Sequence, residues 1–322
     1  MRITYAPMEG ITVYCYRNKH HELFPEGIDK YYTPFLAVHK HQAFKKRDIR
    51  EVLPEDNPGM EKFIIPQIMT NKAEEILWAI NDLHERGFNE VNLNMGCPVS
   101  TVVSKRKGSG MLGDPGYLEE LFSAVFSGNI PEEMKFSVKT RIGLTDSAEF
   151  KNVLPVLNKF PFSNVIIHPR VRTQMYKGEP DMEIFRWAYE NSTNPLGYNG
   201  NIFTVEDYLR IKEEFPKLNE VMLGRGIVQN PALAREIAGG EKITSEEVKS
   251  FVEGMEAEYK IMIGGDVQVM HKMKELWFYM GNLFTPKDKG DIEPYIHKIR
   301  VSRNVSEYRN AKRELYRECE IK

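Results

Sequence analysis

The chain has 322 residues and a mass of 37.4 kDa, and its 44 basic and 46 acidic residues give a formal net charge of −2. This balance excludes binding to nucleic acid through bulk positive charge, although a local basic patch stays open. With 41% hydrophobic residues the chain can build a large core, which excludes a disordered protein. Three scattered cysteines, no signal-peptide core and no long apolar stretch predict a cytoplasmic protein without disulfides, membrane span or metal site.

Short apolar runs alternate with helical patterns over residues 1–240. The predicted strands are Arg2–Met8, Lys30–Phe35, Phe63–Ile68, Glu90–Leu93, Lys135–Lys139, Asn164–His168, Pro195–Tyr198 and Glu220–Leu223. Several of them are almost wholly apolar, as parallel strands covered on both faces tend to be. Eight such strand–helix units favour an α/β fold of the (β/α)₈ TIM barrel type over an open doubly wound sheet.

Two helices between these strands carry recognisable start signals. Asn71 stands three residues before Glu74, which is the spacing of a capping box, and an apolar helical pattern follows. Thr204 precedes Val205 in the same way, and Pro216 ends that segment.

The pattern becomes purely helical from about residue 241 onward. Thr244, three residues before Glu247, predicts the start of a long helix, and a second helix carries Met270 to Met280. Two shorter helices follow around residues 295–303 and 307–317. We therefore expect a TIM barrel domain over residues 1–240 and a C-terminal all-α helical bundle domain over residues 241–322.

Polar residues gather where the predicted barrel strands end. The strand-end residues, which include Pro7, Met8 and two glycines among the polar ones, are Pro7, Met8 and Glu9; Gln67; Asn92, Asn94 and Cys97; Lys139 and Arg141; His168 and Arg170; Asn199, Gly200 and Asn201; and Gly224 and Arg225. The carboxyl ends of barrel strands meet at one mouth, where the catalytic groups of such enzymes lie. A single lysine there would be an ordinary solvated strand end, whereas the repeated polar endings favour an active site.

Two glycine-containing turns follow the last two predicted strands, Asn199–Asn201 and Gly224–Gly226. These two loops of a barrel commonly bind a phosphate through backbone N–H groups, and Arg225 adds a positive charge. Either turn alone is compatible with an ordinary tight turn, but the pair favours a cofactor that carries a phosphate. The segment Gly108–Gly113 fits GxGxxG but follows basic residues, so we interpret it as a flexible basic loop before a helix start at Asp114-Pro115.

Cys97 lies between Gly96 and Pro98, just past a strand. Its thiol could be a nucleophile paired with His168, a general acid, or a buried small hydrophobic group. A metal ligand is disfavoured because no His or second Cys lies nearby at ligand spacing. With an ordinary pKa of about 8.5 the thiol is mostly protonated at neutral pH, which suits proton delivery to a carbanion-like centre.

Six segments of the chain, in order, resemble those of tRNA-dihydrouridine synthases. They are Ala6–Gly10, Asn92–Pro98, Ser137–Arg141, Ile167–Arg170, Asn199-Gly200 and Gly224–Gly226. The combination of Asn-x-Gly-Cys-Pro with the downstream Lys and His is the specific part, and the resemblance covers the whole chain. It implies an FMN-dependent barrel enzyme that reduces uridine in tRNA to 5,6-dihydrouridine and uses NADPH as the reductant.

The resemblance also implies roles for individual residues. Cys97 would be the catalytic acid that protonates uracil C5 after hydride transfer from reduced flavin to C6, and Asn94 would hold the target base. FMN would be bound by Pro7, Met8, Glu9, Gln67, Lys139 and His168 around its ring and by Asn199, Gly200, Asn201, Gly224 and Arg225 at its phosphate. The tRNA would also contact Arg141, Arg170, Lys105, Arg300 and Arg303.

Residues 270–317 hold eleven basic and six acidic residues, and this basic excess fits either a solvated helix face or an RNA-binding surface.

Two other functions stay open. One is an FMN barrel oxidoreductase acting on a small pyrimidine-like substrate, which would have no use for a basic helical bundle. The other is a non-catalytic tRNA-binding protein, which the set Cys97, Lys139 and His168 disfavours. We expect a monomer.

Overall fold

The computed structural model describes residues 1–39 and 41–322. These residues form two compact units, each assembled from several stretches of chain. The barrel unit comprises Met1–Glu9, Asp29–Asn201 and Arg210–Leu223, and the helical unit comprises Gly10–Ile28, Ile202–Leu209 and Gly224–Lys322. A division of the chain into domains at residue 240 stays a prediction.

The strands of the barrel unit are short. They are β1 (Arg2–Tyr5), β2 (Lys30–Tyr32), β3 (Leu36–His39), β4 (Ala43–Phe44), β5 (Ile64–Ile65), β6 (Gln67–Met69), β7 (Glu90–Met95), β8 (Lys135–Arg141), β9 (Val165–His168), β10 (Leu196–Tyr198) and β11 (Glu220–Leu223). They form one sheet in the order β4-β3-β6-β7-β8-β9-β10-β11-β1-β2-β5, and β4 alone of these described strands runs antiparallel to its neighbour.

The sheet closes on itself. Pro66 alone separates β5 from β6, and both β2–β5 and β3–β6 are parallel pairs. The segments β2 and β3 therefore form one interrupted barrel strand, and β5 and β6 form the next. Counted in this way, eight parallel strands make the ring, which confirms the predicted (β/α)₈ barrel.

An apolar layer fills the middle of the barrel. Ala6, Tyr32, Ile65, Ile166 and Met222 form a buried cluster there. Side chains two residues apart on a strand share a face, so polar residues on either side of this layer also face inward. The layer therefore separates two polar ends of the same interior.

The helices lie between and after the strands. In chain order they are α1 (Tyr14–Leu23), α2 (Ala73–Glu85), α3 (Ser100–Val103), α4 (Pro115–Phe126), α5 (Phe150–Leu157), α6 (Met182–Asn191), α7 (Val205–Glu214), α8 (Arg225–Gln229), α9 (Leu233–Ile237), α10 (Ser245–Ile263), α11 (Asp266–Met280), α12 (Glu293–Val301) and α13 (Val305–Glu318). In the part of the chain that the structure describes, none of them combines the length and apolar character that crossing a membrane requires.

Of the four predicted helix starts, those at Thr204, Thr244 and Asp114 are confirmed. Thr204 accepts a hydrogen bond from the Asp207 backbone N–H at 3.2 Å, and Thr244 forms a full capping box with Glu247. The Asn71 prediction is wrong, because α2 begins at Ala73 without a side-chain cap. The Asn71 amide instead donates to the Lys105 carbonyl at 3.2 Å, since a short polar side chain can satisfy other backbone groups as readily as a helix end.

In the helical unit, α10 to α13 pack around Trp277, which is almost completely buried. Its indole N–H donates to the Tyr308 hydroxyl at 3.1 Å, and that hydroxyl donates to Glu256 at 2.8 Å. A short antiparallel pair, β12 (Phe284–Pro286) and β13 (Cys319–Ile321), accompanies the helices.

Candidate active site

A chain of hydrogen-bonded side chains crosses three neighbouring strands at the carboxyl end of the barrel. Asn94 donates from Nδ2 to Gln67 Oε1 at 2.7 Å, and Gln67 donates from Nε2 to Asn92 Oδ1 at 2.7 Å. Asn92 donates in turn to Ser137 Oγ at 2.9 Å. Gln67, Asn92 and Ser137 are fully buried and Asn94 is half-buried. This amide chain fixes how the polar groups at the mouth are oriented.

The amide chain ends on the turn that carries Cys97. Asn94 Oδ1 accepts from the Gly96 N–H at 3.0 Å and from the Cys97 N–H at 2.9 Å. On its other side, the Cys97 carbonyl accepts from both the backbone N–H and the hydroxyl of Ser109, at 3.0 Å and 2.9 Å. Cys97 is therefore held from two sides, which is what a residue with a positional task in catalysis requires.

The segment Gly108–Gly113 is a 3₁₀ turn that supports this arrangement, so its prediction as a flexible loop is wrong. Gly108 has φ +57°, and a Cβ there would lie 2.8 Å from the Cys97 carbonyl oxygen. Only glycine fits such a close approach. The predicted helix start that follows is confirmed, because Asp114 caps α4 and Pro115 is its first residue.

The Cys97 thiol is half-buried and keeps its proton at neutral pH. Burial raises its pKa above the ordinary value, and a hydrogen bond from the Val99 backbone opposes that shift. The positive charges of Arg141 and Lys139 also lower the thiol pKa, so both lie close enough to stabilise a thiolate once the proton has left. This environment suits a proton donor.

Lys139 stands beside Asn94 in the sheet register. Its side chain is half-buried, and among residues 1–39 and 41–322 no hydrogen bond or ion pair to its amine is found. Burial, followed by repulsion from Arg141, lowers its pKa to about 7. An anion bound next to this amine would raise the pKa again and hold the lysine in its charged form.

His168 is buried, and one of its two ring nitrogens is hydrogen-bonded to the backbone. Its Nδ1 lies 2.5 Å from the Asn199 carbonyl oxygen; because that oxygen can only accept, Nδ1 carries the proton. Burial, with the charges of Lys139 and Arg141, holds the histidine pKa well below its usual value, so the ring is neutral. Its Nε2 is buried with no partner within the described residues, which marks a place where a ligand supplies the missing hydrogen bond.

The two predicted arginines at this end are engaged with backbone. Arg141 donates to the carbonyls of Gly96, Val171 and Met175, at 3.0, 3.1 and 2.7 Å. Arg170 donates from Nη2 to the Gly178 carbonyl at 2.7 Å and to Asn201 Oδ1 at 3.0 Å. Both side chains are buried. They brace the segment after β9 and bring positive charge close to Lys139 and His168.

The turn Asn199–Asn201 has its asparagine side chains in use. Asn199 donates from Nδ2 to the Met222 carbonyl at 2.8 Å. Asn201 accepts from Arg170 and donates to Glu179 at 2.9 Å. A Cβ on Gly200 would lie 1.9 Å from the Tyr198 hydroxyl oxygen, so no larger residue fits there without displacing that ring. The Asn199 backbone is engaged as well, because its N–H donates to the Ile167 carbonyl at 2.9 Å and its carbonyl accepts from His168.

The second predicted phosphate turn belongs to the helical unit. Gly224 immediately precedes α8, and Arg225 lies half-buried over the Phe203 ring, 5.6 Å from its centre. A Cβ on Gly226 would lie 1.9 Å from the Ile202 carbonyl oxygen. The chain is therefore tightly packed at the start of this helix, and the glycine there is obligatory.

The remaining predicted flavin residues follow β1. Pro7 and Met8 are half-buried, and Glu9 is exposed with its carboxylate 3.6 Å from the Arg47 guanidinium. Among the described residues there is no group of three or more His, Cys, Asp or Glu side chains arranged to hold a metal ion.

Comparison with known proteins identifies the family. The family model for dihydrouridine synthase (Dus) matches residues 4–290. The chain belongs to the dihydrouridine synthase family. It is 31% identical over 236 residues to "Probable tRNA-dihydrouridine synthase 2" of Bacillus subtilis, which covers 70% of this chain and 69% of that protein. This membership confirms both the resemblance found in the motifs and the predicted enzyme class.

A second relative spans the C-terminal helices as well. It is "tRNA-dihydrouridine(16) synthase" of Neisseria meningitidis, 22% identical over 324 residues, which covers 98% of this chain and 95% of that protein. Among solved structures, a variant of NCR from Zymomonas mobilis matches with a TM-score of 0.53 and 12% identity, over 78% of this chain and 90% of that one. At this identity the structural match supports the barrel fold alone.

Of the predicted RNA contacts of this dihydrouridine synthase family member, Arg141 and Arg170 are buried, whereas Lys105, Arg300 and Arg303 are exposed. Lys105 lies on the surface just after α3. Arg300 is exposed and donates to Glu293 at 2.9 Å, so its charge is partly neutralised. Arg303 is exposed, and its guanidinium has no partner in the described part of the chain.

Three residues at the mouth were missed by sequence reasoning or left without a role. Asn92 and Ser137 complete the amide chain, and the alternation of polar residues along β7 and β8 was the signal for them. Tyr176 is half exposed, with its ring 6.1 Å from the His168 ring and 5.5 Å below the Arg141 guanidinium. It lies on an irregular segment, where no periodic pattern could have shown it.

Proposed function

We propose that this protein reduces uridine in tRNA to 5,6-dihydrouridine, with FMN as its flavin and NADPH as the reductant. One observation carries the proposal besides family membership. At the carboxyl end of the barrel, the charge of Lys139 acts on both the Cys97 thiol and the His168 ring. Among the described residues, neither the Lys139 amine nor His168 Nε2 has a hydrogen-bond partner. A packed core would not leave these groups together unsatisfied.

The residues present fit a flavin. The orphaned His168 Nε2 and the uncompensated Lys139 amine are the groups that would meet a ring carrying hydrogen-bonding edges and, when reduced, negative charge. Gln67 keeps one amide N–H beyond its bonds in the amide chain, and Pro7, Met8 and Glu9 complete this set. FMN, when bound, supplies the hydride that uracil C6 receives.

For the phosphate of FMN we propose two candidate turns, one in each unit. In the barrel unit, Gly200 and Asn201 would present backbone N–H groups, and Asn199 would hold the turn in place, because its own N–H donates to the Ile167 carbonyl at 2.9 Å. In the helical unit, Gly224 and Arg225 would offer the backbone at the start of α8 and a positive charge. Backbone N–H groups and arginine are the usual partners of a phosphate.

Cys97 delivers the proton in this proposal. Its S–H bond breaks, a C5–H bond forms on the uracil, and the thiolate that remains lies near Lys139 and Arg141, whose charges lower its pKa. Solvent then restores the thiol proton. Asn94, tied to the same turn, keeps one N–H for the C4 carbonyl beside C5, where negative charge develops.

We assign the tRNA itself to the remaining predicted residues, Arg141, Arg170, Lys105, Arg300 and Arg303. The contacts of Arg141 and Arg170 with backbone favour a role in shaping the mouth, while Lys105 and Arg303 are exposed for phosphates. The exposed Tyr176 ring is suited to stacking on an unpaired base. The protein would act as a monomer in the cytoplasm.

The test is reconstitution. Purified protein is expected to be yellow with bound FMN, to oxidise NADPH, and to form dihydrouridine in tRNA that lacks this modification, measured by mass spectrometry of digests. Equal reduction of free uridine and of tRNA would favour the small-substrate oxidoreductase. Binding of tRNA by a protein that FMN cannot reconstitute would favour the non-catalytic binder.

A further inference from the structure

The amide chain at the barrel mouth has only one possible direction. Its outer end is fixed by the Gly96 and Cys97 backbone N–H groups, which can only donate, so Asn94 must turn its oxygen toward them. Its nitrogen then faces Gln67 Oε1, and the Gln67 nitrogen faces Asn92. No amide along this path can flip without setting two donors or two acceptors against each other.

The inner end of the chain closes on β8. Asn92 donates to Ser137 Oγ at 2.9 Å, and the Ser137 hydroxyl donates onward to the Val91 carbonyl at 3.4 Å. Both side chains are fully buried. Each amide nitrogen uses one of its two hydrogens within the chain, so Gln67 and Asn94 each retain one N–H, while their oxygens are occupied.

We infer that Asn92 and Ser137 are positioning residues of this active site. They hold Gln67 and Asn94 as donors and, through Asn94, they hold the turn that carries Cys97. The identity of the ligands rests on the proposed function. Flavin and uracil rings both carry carbonyl oxygens, which accept from N–H groups, so a chain locked in this direction offers the matching partner to each.

Three variants test the inference. Asn92→Leu and Ser137→Ala each interrupt the chain, the second with little change in volume. Thr140→Val is the matched control, because Thr140 is equally buried on β8 but faces the other side of the sheet, where its hydroxyl donates to the Arg141 carbonyl.

The first readout needs no flavin: the rate at which iodoacetamide alkylates Cys97, located by peptide mass spectrometry. The second is FMN affinity with the visible circular dichroism of the bound flavin. We expect Asn92→Leu and Ser137→Ala to change the alkylation rate and weaken FMN binding by about 3- to 10-fold, the worth of one net hydrogen bond. Thr140→Val should stay within about 2-fold of the unmodified protein.

The inference is overturned if Asn92→Leu and Ser137→Ala match Thr140→Val in both readouts. If Asn92→Leu does not fold, Ser137→Ala decides alone. A protein that never binds FMN but whose Cys97 reactivity follows the chain would refute the proposed cofactor and support the positioning role. If the protein binds FMN normally and the Cys97 alkylation rate is unchanged in Asn92→Leu and Ser137→Ala, the proposed cofactor is supported and the positioning role is refuted.

Discussion

The two ends of the barrel interior treat charge in opposite ways. At the amino end, Arg2 donates to Glu220 at 2.9 Å and to both oxygens of Glu90 at 3.3 Å. Glu220 is fully buried and also accepts from Thr4 at 2.7 Å and Asn164 at 3.0 Å. At the carboxyl end, neither Lys139 nor His168 Nε2 has a hydrogen-bond or ion-pair partner within the described residues.

We infer from this difference that the amino end serves stability and the carboxyl end serves binding. A buried charge costs free energy unless an opposite charge and hydrogen bonds compensate it. At the amino end, Arg2 and the hydrogen bonds to Glu220 offset much of that cost, and Arg2 Nε and Asn164 Oδ1 are the atoms of this group that have no partner among the described residues. The carboxyl end lacks such compensation, so a bound anion or hydrogen-bonding ring would complete it.

The largest expected effect falls on Cys97, the proposed proton donor at the carboxyl end of the barrel. Cys97→Ala should bind FMN and tRNA as before but form dihydrouridine about 10²- to 10⁴-fold more slowly, as loss of a general acid typically causes. Single-turnover oxidation of the reduced enzyme by tRNA measures this step. Unchanged turnover would remove Cys97 from the mechanism.

Breaking the ion pairs at the amino end of the barrel should lower the stability of the protein instead. Arg2→Met leaves Glu220 and Glu90 without their cation, and we expect the free energy of unfolding to fall by about 3–5 kcal/mol. Urea denaturation measures it. The double variant Arg2→Met/Glu220→Gln is the control and should recover part of the loss; if it does not, the pairing of charges is not what stabilises this end.

Removing the Lys139 charge at the carboxyl end of the barrel should raise the stability of the cofactor-free protein rather than lower it. Lys139 has its folded-state pKa lowered to about 7, so its protonation disfavours the cofactor-free fold from pH 10 down to neutral. Lys139→Met should therefore stabilise the cofactor-free protein at pH 7 by about 1–3 kcal/mol while FMN-dependent turnover is lost. A destabilised apoprotein would contradict the comparison.

The neutral His168 predicts a pH dependence. Its pKa is lowered on folding, so the stability it contributes is complete above pH 6.5 and is lost as the pH falls below that value. Between pH 6.5 and 5 the cofactor-free protein should lose at most about 1.4 kcal/mol per pH unit from this group. Melting temperatures of the protein and of His168→Phe at both pH values measure the difference, which should shrink in the variant.

The smallest effect concerns the surface, and it compares two arginines of the helical unit. Arg303→Ala should weaken tRNA binding about 2- to 5-fold and reduce the salt slope by about one charge, because its guanidinium is free to meet a phosphate. Arg300→Ala should do less, because Glu293 already engages that side chain. Equal losses would show that the ion pair opens when RNA binds.

The sequence was informative wherever a pattern is local. Apolar runs located all eight barrel strands, because a strand buried on both faces needs apolar residues at most positions. Polar residues at the strand ends marked Gln67, Asn94, Cys97, Lys139 and His168 as neighbours, because parallel strands bring their carboxyl ends together.

The ion-pair cluster at the amino end of the barrel was not predicted, because its residues are far apart in the chain. Arg2, Glu90 and Glu220 each begin a strand and resemble ordinary charged strand ends; only closure of the ring brings them together. Arg141 was assigned to substrate, yet its donors reach three backbone carbonyls on loops whose course no local rule dictates. Such contacts depend on tertiary geometry rather than on residue type.

One detail of the Cys97 turn bears on which pyrimidines are turned over. The Asn94 oxygen already accepts from two backbone N–H groups, so in its proposed role this side chain can only donate a hydrogen bond to the edge of a base. The C4 oxygen of uracil can accept this hydrogen bond, whereas the exocyclic amine of cytosine is itself a donor and cannot. Cytidines presented to the same mouth would therefore be rejected by a single carboxamide, and digests of treated tRNA should contain no dihydrocytidine.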